Sequence, residues 1–301
     1  EFRRVLFRSH ALAQQIYRDL KIRSSGSADT MQEFMDKLSQ VPLRYQPGKD
    51  TAKLDRAYAA AMQAVAARFP DDNEIAVLTA DALMVASFAE EGGYDHKLMD
   101  QAVVLLEQVL ARAPQHTPAI HFYIHATEVI GKPALAEAYA DRLADLAPRA
   151  SHLVHMPSHT YYWVGRYQDA AETNHRAVQI GKDNAKALGL PEPKGVWDLP
   201  YHAHNVIFGL GGAMMAGNAK IGLELGRPLV DRSQGQAEAH PIMQLLSAAG
   251  YFAIARFDDP AAVLARPEPK LPYLQAAWHY ARGEVFAKQG DLAGLKAEIA
   301  A

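Results

Sequence analysis

Cysteine is absent from all 301 residues, which excludes disulfides, thiolate metal sites and cysteine nucleophiles and leaves the redox compartment undecided. A basic excess is absent too, since 31 Lys and Arg stand against 34 Asp and Glu for a net charge of −3. With no positive field to draw on polyphosphate or anionic lipid, neither nucleic acid nor a membrane surface is expected as a partner. No apolar run approaches the roughly 20 residues that a membrane helix needs, and no charged-then-apolar leader opens the chain. A Gly-rich phosphate loop, a G-x-S-x-G elbow and an H-E-x-x-H helix are also missing. The GLGG at 209–212 sits inside an apolar helical stretch with no strand before it, so it is not read as a nucleotide loop.

What is present in quantity is apolar surface and histidine. At 49% hydrophobic the chain can bury a large core. Of 13 histidines, seven fall between His116 and His175. Their spacing is regular. His155 follows His121 by 34 residues, and the same step joins His125 to His159, Gly131 to Gly165 and Pro114 to Pro148. The segment GRYQDAAETNHRAV, 165–178, with glycine and tyrosine at its turn and Ala170 and Ala177 facing a partner helix, resembles the tetratricopeptide repeat, whose length is 34 residues. The blocks HFYIH (121–125), HLVHMPSH (152–159) and WHYARG (278–283) further resemble a group of longer bacterial tetratricopeptide proteins with no settled activity. That resemblance covers most of residues 50–300. It implies an all-α fold, a right-handed α-solenoid of helix pairs with a concave binding groove. Phe122 stands where that group has leucine.

In the repeat register, with Gly165 as position 15, the groove-facing positions of the first helix fall on His152, His155, His159 and Tyr162. One repeat earlier they fall on His121, His125 and Glu128. The frame was set on glycine, proline and alanine, so the histidines reached the groove unsteered. On each helix these residues recur every three or four positions and share one face. Packed helices lie roughly 8 to 10 Å apart, close enough for imidazoles to converge. His121, His125, Glu128, His155 and His159 are therefore the candidate metal ligands, suited to zinc, copper, iron or nickel. Asp81, His152, Tyr162, His204, Tyr280 and Glu284 are candidates for the groove wall. No catalytic residue is assigned. A self-satisfied histidine network is the structural alternative. His202 and His204, in YHAHN, serve either the site or a helix cap. His116, His175, His240 and His279 are read as surface or packing residues, Ser158 as a small packing residue, and Trp197 and Asp198 as part of a linker or a lid.

Pro157 falls in mid-helix in this frame, where it removes a donor and frees the carbonyl of Leu153. The alternative is a helix that starts near Pro157, which would carry His152 off the shared face.

Along the chain, residues 1–9, EFRRVLFRS, can be back-translated into a strand that resembles a common sequencing adaptor and are read as non-native. Residues 10–50 form an N-terminal helical segment, 51–184 the repeats with the His-rich groove, and 185–301 further helical repeats after a loop insertion. Helices are expected at 51–68, from an Asp71-Asp72-Asn73 cap to about Ser87, from Met99 to Arg112, at His202 to Ala216, Lys220 to Asp231 and Met243 to Arg256, and in a last pair from Tyr273. Both ends are expected to be truncated. The function these features imply is a binding protein whose groove takes a transition metal, an acidic peptide or a small ligand, with a protein or peptide partner open. A metal-dependent enzyme on the same groove and an interaction scaffold with a structural His network are the alternatives.

Overall fold

Asp50 begins the first described helix by accepting from the backbone N–H groups of Ala52 and Lys53, which satisfies donors that a helix start otherwise leaves bare. The computed structural model describes residues 50–88, 93–191, 195–233 and 241–301. Among them every regular element is helical. The readings made for residues 1–49 and for His240 lie outside the described residues, as do 89–92, 192–194 and 234–239.

The helices are α1 Thr51–Arg68, α2 Asn73–Ser87, α3 His96–Arg112, α4 Thr117–Val129, α5 Glu137–Leu146, α6 Ser151–His155, α7 Pro157–Trp163, α8 Tyr167–Ala187, α9 His202–Ala216, α10 Ala219–Ser233, α11 Pro241–Phe257, α12 Pro260–Leu264, α13 Pro272–Gln289 and α14 Leu292–Ala300. Short 3-10 turns cover Pro133–Ala136 and Gly195–Asp198. The chain forms two compact units that divide between Tyr139 and Ala140.

In the first unit α2 packs on both α1 and α3, and α3 on α4. Its core is built from Met62, Leu83, Met99, Leu106, Ile120 and Ile124, all fully buried, each side chain contributing on the order of 1.5 to 3 kcal/mol by leaving water. Asp72 caps α2, and Asp95 caps α3. That second cap starts α3 at His96, one turn before the apolar periodicity becomes visible at Met99. His116 caps α4 through Nδ1, which accepts from Ala119, while its Nε2 faces Glu74 at 3.0 Å.

In the second unit α6 and α7 pack on α8, α8 on α9, α9 on α10, α10 on α11, and α11 on α13, which carries α14. Two adjoining apolar clusters fill it, one around Val178, Leu210, Leu225 and Leu229, the other around Tyr251, Ile254, Leu274 and Val285. The run KDNAKA holds helical backbone, so α8 continues to Ala187, past the limit at residue 184 that the sequence suggests for the repeats. Part of the proline-rich stretch after Asp258 is itself helical, because Asp259 caps α12 and Pro260 occupies its first turn.

Gly131 and Gly165 end α4 and α7 in the same way. Both take φ in the left-handed region, 70° and 81°. Each donates to the carbonyl three residues back, Glu128 and Tyr162, and each following residue donates five back, Lys132 to Thr127 and Arg166 to Tyr161. One backbone turn therefore recurs at the 34-residue step, where a side chain with Cβ would be strained.

Candidate metal centre

Met156 separates α6 from α7 yet keeps helical torsions, φ −50° and ψ −38°. Pro157 thus interrupts the hydrogen-bond ladder without redirecting the chain, and stands at the first position of α7. Both expectations for this stretch meet here: the helix restarts at the proline, and His155 and His159 still share a face. Their ring centroids lie 4.9 Å apart, nearly edge to face. Their Nε2 atoms are 3.0 Å apart.

The third imidazole comes from α9. His204 brings its Nε2 to 3.0 Å from that of His155, and one nitrogen of each of the three rings lies within 4.8 Å of the other two. His155 is fully buried and His159 nearly so, whereas His204 is exposed. The cluster is closed on the α8 side and open beside His204.

Asn174 on α8 fixes the chemistry of the central ring. Its Nδ2 donates to the carbonyl of Ala170 at 2.8 Å, one turn back, which aims its Oδ1 at His155 Nδ1, 2.6 Å away. An amide oxygen only accepts, so the hydrogen of His155 resides on Nδ1 and its Nε2 presents a lone pair. Burial, then the neighbouring His159 and His204, hold His155 well below the ordinary histidine pKa, against the opposing pull of the Asn174 hydrogen bond. The ring is neutral at physiological pH.

Glycines bring α9 this close. A Cβ at Gly209 would stand 2.8 Å from Asn174 Cβ and 2.7 Å from Leu225 Cδ1, and one at Gly212 would stand 2.8 Å from the backbone nitrogen of Ala171. The GLGG run is therefore a helix-packing surface inside α9, as its apolar surroundings imply. Phe208, one turn after His204, places its ring 5.0, 4.7 and 4.5 Å from those of His155, His159 and His204. Its carbonyl accepts from the Tyr162 hydroxyl at 2.6 Å, and burial raises that phenol to about 12.

Tyr201, just before α9, has φ 68°, a left-handed conformation that is uncommon for a bulky side chain and costs on the order of 1 kcal/mol. Its ring stacks at 4.0 Å on His152, which in turn stacks on His155. Strain of this kind persists where the surroundings over-determine it. Here it sets the angle at which α9 enters.

Three imidazoles with Nε2 atoms converging are poorly served by hydrogen bonding alone, because the single lone pair of His155 faces two nitrogens. A tetrahedral ion with nitrogen ligands at 2.0 to 2.1 Å would hold them about 3.3 to 3.4 Å apart, a few tenths of an ångström beyond the 3.0 Å seen here. Small ring rotations close that gap. An all-nitrogen set of this kind suits zinc, copper, iron or nickel.

Of the candidates read from the sequence, His155 and His159 meet, joined by His204, which had been placed on the groove wall. His152 stacks on His155, and Tyr162 reaches the cluster through Phe208, whose ring it meets edge to face. His121, His125 and Glu128 lie in the first unit on one face of α4, with the two rings 5.1 Å apart and His125 Nδ1 3.9 Å from the Glu128 carboxylate. Asp81 is partly buried on α2 of that unit. Tyr280 and Glu284 line a separate cavity of about 770 Å³ between α13 and α14, with His279 and Glu298. Burial, then Glu284, raises the Tyr280 phenol. His175 pairs with Glu224 at 2.6 Å and His279 with Glu298 at 2.7 Å, and Ser158 is fully buried beside His155. Asn174, Phe208 and Tyr201 were not singled out in the sequence. Asn174 carried a signal: it stands one repeat step after Ala140, an amide where the packed position otherwise takes a small apolar side chain.

No protein-family model matches this chain, and no curated protein matches it.

Proposed function

We propose that the chain is a tetratricopeptide-like helical-repeat binding protein whose second unit holds a transition metal ion on His155, His159 and His204. The observation that carries this reading is the convergence of three Nε2 atoms around a central ring whose tautomer Asn174 has set for coordination. The repeat assignment is supported by the identical glycine turns at Gly131 and Gly165. A metal held on three protein nitrogens beside an exposed ring keeps a coordination position for a ligand from outside, which is the arrangement of a site that binds or reacts rather than one that only staples. A ligand or a substrate would enter there.

Metal analysis of protein purified without a nickel column, then incubated with zinc, copper, iron(II) or manganese and desalted, tests this. About one equivalent of zinc or copper is expected on the second unit, lost in His204→Ala and in His155→Ala. Manganese, which favours oxygen ligands, is expected to wash away. Equal metal content in the wild type and both variants would overturn the assignment. A second reading, a structural histidine network, is favoured by the 3.0 Å contacts themselves. It requires metal-free protein after every incubation and a large stability loss in the same variants.

A further inference from the structure

The second unit contains another hollow, beside the turn that leads into α9. A cavity of about 400 Å³ opens between the start of α6, the end of α8 and the residues leading into α9. Its walls are apolar, with Leu188 and Leu199 prominent, and its polar atoms come from Ser151, Asn184 and His202. His202 is 3% exposed, and its Nδ1 is buried with no hydrogen-bond partner among the described residues. A buried imidazole nitrogen left unpaired costs free energy unless something reaches it. The protein has left room for that something. Gly181 and His202 line the cavity together, and a Cβ at Gly181 would stand 3.2 Å from His202 Nδ1 and 3.8 Å from Ser151 Oγ, so a side chain there would close over the nitrogen.

The other polar groups indicate the sign of the ligand. Ser151 is already engaged, donating to the carbonyl of Ala177 and accepting from Asn205 Nδ2, each at 2.9 Å. Among the described residues no acidic side chain lines the cavity. The guanidinium of Arg232 lies over the Trp197 ring at 5.0 Å, and that ring meets His202 edge to face at 4.8 Å. Lys182 adjoins Gly181 on α8. Cations thus flank a site whose unengaged polar groups, the buried His202 Nδ1 and the Asn184 amide, can both donate.

We propose that this cavity is a second ligand site, distinct from the histidine cluster, that takes a small aliphatic carboxylate. The carboxylate accepts from His202 Nδ1–H and the Asn184 amide within the field of Lys182 and Arg232, and the alkyl chain lies on Leu188 and Leu199. Apolar walls with a few convergent donors are the usual composition of small-molecule sites.

The test uses the full chain freed of metal by chelation. Binding of butyrate and hexanoate, with 1-butanol and butylamine as matched controls, is followed by calorimetry and ligand-observed NMR. Saturable binding of both carboxylates is expected, tighter for hexanoate, with the alcohol and amine at least tenfold weaker. Gly181→Ala, which covers Nδ1 in a helix interior that favours alanine, is expected to weaken butyrate at least tenfold, as is His202→Phe. His159→Ala is expected to leave it within twofold, which separates this site from the metal reading. The proposal is overturned if the wild type shows no saturable carboxylate binding, if 1-butanol binds as tightly as butyrate, or if a Gly181→Ala chain with wild-type circular dichroism binds butyrate unchanged.

Discussion

Asn174 shows how much of the candidate centre depends on a residue that touches no ligand. Its amide is anchored at one end to Ala170 and at the other to His155 Nδ1, so Asn174→Ala removes both the tautomer lock and the partner of a fully buried N–H. Leaving that donor unsatisfied costs about 1 to 3 kcal/mol. Partners of metal-bound histidines typically control affinity by about 10- to 100-fold. We expect Asn174→Ala to weaken zinc binding within that range while Asn174→Asp, whose carboxylate accepts the same hydrogen bond, retains it. Competition against a chromogenic chelator measures both. Equal affinity in Asn174→Ala and wild type would show that the hydrogen bond serves packing alone. His155 and His159 were legible in the sequence because a repeat converts spacing into position. Asn174 was harder to read, because its role lies in a contact with α6, which periodicity does not encode.

At the scale of elements, the centre is an agreement between α6–α7, α8 and α9, and the glycines of α9 set the distance. A methyl group at Gly209 would have to displace Asn174 or Leu225, and one at Gly212 meets the backbone of α8, which cannot yield as a side chain does. Overpacking of this kind costs about 1 to 3 kcal/mol, offset in part by the better helix propensity of alanine. Both Gly209→Ala and Gly212→Ala are expected to lower the unfolding midpoint. Because His204 rides on α9 four residues or more from the contact, both are also expected to weaken zinc. Gly217→Ala, at the far end of α9 where nothing lies within 4 Å but φ is 72°, should lower stability and leave zinc affinity unchanged. A crystal structure of Gly212→Ala with α9 unmoved would refute the argument. The starts of α1 and α2 were readable because Asp50 and Asp72 cap what they precede, whereas α12, capped by Asp259 inside a proline-rich stretch, was not. The partner supplied by α9, His204, was readable only as a candidate for the groove wall and not as a ligand, since 49 residues and an irregular insertion separate His155 from it, and no period spans them.

At the scale of the whole molecule, buried neutral histidines tie stability to pH. Burial, then the charges of Lys182 and Arg232, lower His202 to about 4, and burial together with its histidine neighbours lowers His155 as well. Above about pH 6.5 both rings are neutral whether the metal-free chain is folded or not, and their titration contributes nothing. As pH falls below 6.5 the unfolded chain takes up protons that the folded chain refuses, so stability declines. For His202 the decline continues to about pH 4, where the folded state binds the proton too. The shift from 6.5 to about 4 corresponds to about 3 kcal/mol at most. Urea unfolding of chelator-treated protein at pH 7.5, 6.0 and 5.0 should therefore give falling free energies, and His202→Gln should flatten that slope. Zinc adds a second dependence of the same sign. A free concentration of 100 times Kd stabilises the folded state by about 2.7 kcal/mol at neutral pH, and protons competing for the same nitrogens withdraw that increment as pH falls. The zinc-loaded and zinc-free curves should converge toward pH 5, and curves that remain parallel across the range would mean that the ion sits on groups other than histidine.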